Sequence, residues 1–316
     1  MNRRLTRPAS RLLAHSGCRI VTAQQGYGPD SCEADMAALA AAYPFLHTEQ
    51  AGSSVMGRPI RAVRFGEGDC RIHLNAAFHA NEWITSLLAM ALLEDLSSTY
   101  AGGQPWGGME IRRIYEQYSL WILPMVNPDG VGLVVDGLPE ERGLRQQLLA
   151  WNGGSDDFGQ WKANIRGVDL NDQFPAYWEA ECERRAAAGP GPRDYPGPQP
   201  LSEPEAAGLA GWTRRHDFDL VLALHTQGQE IYWNYRDYEP PEAEALAQGM
   251  ARASGYKAVK LTDSDAGYKD WFIYEFRRPG FTIEAGYGVN PLPLTQLEDM
   301  YAELKSLLLQ LLGELR

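Results

Sequence analysis

Two largely apolar runs, residues 72–78 and 219–224, constrain the fold more than any other feature of the chain, and each leads directly into a histidine, His79 and His225. Short apolar runs with so little polar alternation read as strands buried on both faces, as happens in parallel sheets covered by helices. Further strand-like runs lie at 60–65 and 118–123, and a helical pattern (Trp83, Leu87, Leu88, Met90, Ala91, Leu92) occupies about 82–97. The alternation predicts a single α/β domain on a mixed or mostly parallel sheet covered by helices. In open sheets of this kind ligands gather outside the carboxyl ends of the strands, which is where both histidines stand.

Glu82 follows His79 by one helical turn, at the point where the strand gives way to the helical pattern. A strand-to-helix turn aims both side chains at one point, and His225, at the end of a second strand, is placed to join them. Two histidines and a glutamate are a donor set for a catalytic zinc ion, which takes three protein ligands and keeps a fourth position open. One ion held by His79, Glu82 and His225 is therefore expected.

The formal charge of −12 argues against nucleic acid or an anionic membrane as the main partner and fits a peptide or other small substrate. Arg3, Arg4, Arg7 and Arg11 are followed by an apolar stretch that stops after Ala14, too short for an export signal, and no apolar stretch is long enough to span a bilayer. Cys18, Cys32, Cys70 and Cys182 show no paired metal spacing and are too few for a disulfide framework. A soluble cytoplasmic protein with reduced thiols is the expectation. Residues 1–29 read as an N-terminal arm and 30–316 as the catalytic domain. Two local signals are also read here: a tight turn at Asn127-Pro128-Asp129-Gly130, and a capping box, Ser202 with Glu205, opening a helix to about His216. A last helix is expected over 294–312.

Six segments, in order along the chain, resemble the zinc carboxypeptidase family: Gly57-Arg58-Pro59-Ile60, His79-Ala80-Asn81-Glu82-Trp83, Pro124-Met125-Val126-Asn127-Pro128-Asp129-Gly130, Gly167-Val168-Asp169-Leu170-Asn171, His225, and Phe281-Thr282-Ile283-Glu284. The resemblance runs from about Tyr43 to the C-terminus. It implies a central mixed sheet of about eight strands between helices, and a peptidase in which a zinc ion activates water. Zinc lowers the pKa of water from about 15.7 to about 7. Glu284 matches the family's catalytic glutamate, the base that shuttles the proton. A cation is also needed for the tetrahedral intermediate. Arg166 matches by residue type the arginine that the family has upstream of Gly-Val-Asp-x-Asn, and Lys162 is the alternative on the same segment.

One departure bears on substrate. Where carboxypeptidases of this family have Asn-Arg, the arginine gripping a C-terminal carboxylate, this chain has Asn171-Asp172, and an aspartate repels a carboxylate. The string from Trp161 to Pro175 resembles instead the γ-D-glutamyl-L-diamino acid endopeptidases, which cut between γ-D-glutamate and meso-diaminopimelate in cell-wall (murein) peptides. On that resemblance Asp172 is expected to meet the ammonium, and Lys269 the carboxylate, at the far end of diaminopimelate. Asn171 and Tyr268 are further candidates for substrate contact. A conventional carboxypeptidase, a noncatalytic peptide binder and an amidase remain the alternatives.

Overall fold

A computed structural model describes residues 19–315 of the chain. Among them eight strands form one sheet: β1 (His47–Ser53), β2 (Pro59–Phe65), β3 (Cys70–Ala76), β4 (Tyr118–Leu123), β5 (Leu220–His225), β6 (Glu230–Tyr232), β7 (Lys257–Val259) and β8 (Gly280–Glu284). Their spatial order is β1-β2-β4-β3-β5-β8-β6-β7. The centre, β4-β3-β5-β8, is parallel throughout; β1 with β2, β2 with β4 and β6 with β8 pair antiparallel, and the edge strand β7 pairs parallel with β6. Sheet and helices form the single α/β domain that the apolar runs predict. The helices are α1 (Pro29–Ala42), α2 (Ile84–Gly102), α3 (Ile111–Gln117), α4 (Pro128–Asp136), α5 (Arg142–Trp151), α6 (Trp178–Arg185), α7 (Pro204–His216), α8 (Ala243–Ser254), α9 (Tyr268–Phe276) and α10 (Leu297–Glu314).

The period of two along each strand divides the core between two faces. Ile72, Leu74 and Ala76 of β3, with Leu220, Leu222 and Leu224 of β5, point to one face and pack against α1, α2, α3, α8 and α10. Trp121 and Leu123 of β4, with Val221 and Ala223 of β5, point to the other and meet α7 and α9. Both faces being covered is why β4 and β5 are buried along their whole length. On α10, Leu304, Leu307 and Leu311 are buried, and each adds roughly 1.5–3 kcal/mol by leaving water.

Three local expectations meet tertiary structure. Residues 1–18 of the expected arm lie outside the described residues, while residues 19–28 run against α2: the amides of Ile20 and Val21 donate to Glu94, and Val21 and Tyr27 are buried. The capping box is not formed. Pro204 occupies the first turn of α7, the Ser202 hydroxyl donates to Gln173, and Glu205 turns inward to accept from Val55 N at 3.0 Å. The turn at Asn127–Gly130 is instead the start of α4, with Asn127 Oδ1 accepting from Gly130 N at 3.0 Å. No helix among the described residues is long and apolar enough to cross a membrane.

Candidate active site

The carboxyl ends of β3, β5 and β8 lie side by side, and this alone brings together residues far apart in sequence. His225 is paired in register with Glu284 across β5 and β8, and β3 runs out beside them into the turn that carries His79. That turn is closed by Thr85, whose hydroxyl donates to Glu82 O at 2.7 Å while accepting from Ala77 N at 2.9 Å. Asn127 Nδ2 donates to the carbonyls of Phe78 and Ala163. Ala77 sits at φ +50°, a region non-glycine residues enter rarely and which surrounding contacts must enforce.

The three expected ligands converge. Nδ1 of His79 is 2.8 Å from Glu82 Oε1, Nδ1 of His225 is 3.1 Å from Glu82 Oε2, and the two Nδ1 atoms are 3.3 Å apart. All three side chains are buried, and suitable donor atoms of the three lie within 4.8 Å of one another. On its other side His79 presents Nε2 to Asp169 Oδ1 at 3.2 Å. A carboxylate there keeps the proton on Nε2 and leaves the Nδ1 lone pair facing the other two donors, the arrangement regular for a metal-bound imidazole. Two buried imidazole nitrogens and a carboxylate oxygen, with the His79 tautomer held by Asp169, fit a zinc ion. The His225 ring stacks on Phe78, with centroids 5.8 Å apart.

The electrostatics follow from burial and opposite charge at close range. Burial disfavours a charged His79, but Glu82 and Asp169 outweigh it and lift its pKa to about 9. Burial would raise Glu82 and Asp169, yet the facing histidines hold Glu82, and His79 holds Asp169, well below the usual carboxylate range. His225 is lowered, chiefly by burial. Glu284 goes the other way: burial, then the charge of Glu82, pushes it up to about 8.

An open cleft of about 390 Å³ lies over these groups, lined among others by His79, Glu82, Lys162, Arg193, Thr226, Tyr232, Glu284 and Asn290. Lys162 is bound into it by its own backbone, whose carbonyl accepts from Ala80 N at 2.9 Å. Its charge acts on His79, Asp169 and Glu284 alike. Arg166, favoured from sequence, is turned away: its side chain is 52% exposed and stands 3.6 Å from Glu203. The intervening Asn164 causes the difference, since its side chain is buried against Glu203 and accepts from the amides of Arg166 and Val168, folding the segment back on itself.

None of Asn171, Asp172, Tyr268 and Lys269 lines this cleft. Tyr268 is fully buried, its hydroxyl 2.9 Å from His73 Nδ1 and 3.0 Å from Thr213 Oγ1, so it stands in the core rather than in contact with the cleft. Asp172 is buried and ion-paired with Arg185 of α6 at 2.9 Å; burial and the nearby Asp169 raise its pKa to about 7 against the pull of Arg185. Lys269 is buried, donates to Asn234 O at 2.7 Å and is paired with Asp270. Asn171 Oδ1 accepts from Tyr268 N at 3.3 Å. Sequence reasoning assigned no role to Asp169, although its motif was noted; the signal available was that a liganding histidine regularly gives its second N–H to a carboxylate.

Comparison with known proteins agrees with this geometry. Residues 32–288 match the zinc carboxypeptidase family model. The chain is 47% identical over 285 residues to γ-D-glutamyl-L-diamino acid endopeptidase 1 of Lysinibacillus sphaericus, covering 90% of this chain and 72% of that one. It is 39% identical to the uncharacterized protein YqgT of Bacillus subtilis (strain 168), covering 87% and 74%. Among solved structures it is similar in fold to bovine thrombin-activatable fibrinolysis inhibitor in complex with tick carboxypeptidase inhibitor, with a TM-score of 0.71 and 18% identity over 92% of this chain and 97% of that one. With its sheet, its His-Glu-His cluster and these matches, the chain belongs to the zinc carboxypeptidase family and is a zinc metallopeptidase.

Proposed function

We propose that the chain hydrolyses the γ-D-glutamyl-meso-diaminopimelate bond of murein peptides, with His79, Glu82 and His225 holding one zinc ion. The observation that carries the reading is the 47% identity to an enzyme named for that class of bond. It is supported at Asp172, where the family's carboxypeptidases hold the carboxylate-gripping arginine and this chain holds a buried acid matched by Arg185.

A zinc ion held by these three side chains would acidify a water molecule and polarise the scissile carbonyl. Glu284, at the end of β8 beside His225, takes the proton from the attacking water and passes it to the departing amine. Its raised pKa reflects burial beside Glu82, and a neighbouring dication favours its carboxylate form. Lys162, bound to the His79 turn through its backbone, supplies the cation facing the oxyanion that develops as the carbonyl is attacked. Asp169 fixes the His79 tautomer.

Mass spectrometry of products from L-Ala-γ-D-Glu-meso-diaminopimelate tests the proposal. The zinc-loaded parent is expected to release free diaminopimelate, and Glu284→Gln, with the same zinc content, to release none. Cleavage of ordinary carboxy-terminal peptides with no release from this tripeptide would establish the conventional carboxypeptidase instead.

A further inference from the structure

The cleft contains a second cation that the chemistry above leaves idle. Arg193 lines it together with His79, Glu82, Lys162 and Glu284. It is carried by a Gly/Pro-rich loop, residues 189–200, whose backbone is stitched along the segment bearing Lys162 and Asp169. The amides of Lys162 and Ala163 both donate to Pro192 O, at 2.8 and 3.0 Å, Gly191 N donates to Gly167 O at 3.0 Å, and Asp169 N donates to Tyr195 O at 2.8 Å. The approach is close enough to demand glycine at 167, where φ is +71° and a Cβ would stand 2.7 Å from Gly191 N. Arg193 is therefore flanked on both sides by backbone hydrogen-bonded to the metal-site segment.

Its side chain is treated differently from its neighbours'. Arg184 and Arg185 are used internally, pairing with Glu181, Asp265, Asp172 and Asp194. Arg193 is exposed and takes part in no hydrogen bond, ion pair or ring contact among the described residues. A guanidinium on an anchored backbone, paired with neither Glu82 nor Glu284 of the cleft it lines, is a receptor for an incoming anion.

We infer that Arg193 binds the free α-carboxylate of the γ-linked glutamyl residue on the acyl side of the scissile bond. The inference rests on the substrate reading proposed above and adds the residue that recognises the linkage. A glutamyl residue joined through its side chain keeps an ionised α-carboxylate, separated from the scissile carbonyl by the side-chain carbons. An α-linked residue has no backbone carboxylate there. The two cations of the cleft then answer two negative charges that arise at different moments. The carboxylate is present when substrate binds, whereas the oxyanion exists only as the carbonyl is attacked. Losing Arg193 should accordingly act on KM, and losing Lys162 on kcat.

The test compares the tripeptide L-Ala-γ-D-Glu-meso-diaminopimelate with its analogue bearing a carboxamide in place of the glutamyl α-carboxylate, using parent, Arg193→Gln and Arg193→Lys proteins of equal zinc content and thermal midpoint. The parent is expected to prefer the carboxylate peptide by about 10- to 100-fold in kcat/KM, the range for one charge-assisted hydrogen-bonded contact. Arg193→Gln should collapse that preference to within about threefold by raising KM for the carboxylate peptide, and Arg193→Lys should restore part of it. An unchanged preference in Arg193→Gln, or a fall confined to kcat, would overturn the inference while leaving the substrate reading intact. Turnover of neither peptide by the parent would overturn both.

Discussion

Glu205 gives the sharpest quantitative test of the scaffold behind the active site. It is fully buried on α7, accepts from Val55 N, and lies at 3.4 Å from Asn164 Nδ2, the side chain that folds the Lys162-bearing segment back on itself. Burial, with smaller contributions from the charges of Asp129 and Glu203, raises its pKa from 4.5 to about 7. An acid whose folded pKa is raised binds more protons when folded than when unfolded. Its contribution is thus a penalty, absent below the unfolded pKa, that grows as pH rises from 4.5 and levels off above 7. With these values the native state loses on the order of 2–3 kcal/mol between pH 5 and pH 8 through this one group. Glu205→Gln cannot titrate. Its carbonyl keeps the bond to Val55 N, while its amide faces that of Asn164 and costs about 1 kcal/mol at every pH. The absolute stability of the variant is therefore a poor guide, and the change in the difference is the readout. Denaturant unfolding of both zinc-saturated proteins at pH 5, 6, 7 and 8 should show the variant gaining on the parent by roughly 2–3 kcal/mol across the range. A difference constant to within about 0.5 kcal/mol would refute the assignment of Glu205 as a buried acid of raised pKa.

Two further outcomes concern the metal and the chemistry. Asp169→Asn removes the carboxylate that holds the His79 tautomer and is expected to weaken zinc binding by about 10- to 100-fold, measured by competition with a chromophoric chelator; an unaltered affinity in a folded variant would show that the contact does not orient the ligand. Lys162→Met should lower kcat by about 10²- to 10³-fold with zinc content unchanged, whereas the corresponding change at Arg166, which points to Glu203, should leave kcat within about threefold; the reverse ranking would reinstate Arg166 as the oxyanion cation.

How far such a site is legible in sequence depends on whether a residue's surroundings are local. His79 and Glu82 are one turn apart at a strand end and His225 closes an apolar run, but spacing only makes them candidates; the ordered family motifs around them are what single them out. The edges were harder to see: β1 is polar and largely unburied, and β6 and β7 are three residues each, too short for a period to show. Helix phase misleads in the same way, since Tyr268 opens α9 and is rotated wholly into the core between His73 and Thr213.

Charge is the least local property of all. Asp172 and Lys269 read as two free charges awaiting a zwitterionic side chain, yet Arg185 and Asp270 already answer them. Arg193 reads as one more cation in a Gly/Pro-rich loop, yet its side chain reaches the cleft with no hydrogen bond, ion pair or ring contact among the described residues. The α6 helix is what exchanges these roles. By supplying Arg185 to Asp172 and Asp194, it neutralises the position where the family's carboxypeptidases hold their arginine. It also pairs with Asp194, the acid next to Arg193 in sequence. Specificity would then move from the amine side of the scissile bond to the acyl side without any change in the metal ligands. That is what cleavage next to a γ-linked glutamate requires, because the carboxylate that marks this linkage lies on the acyl side.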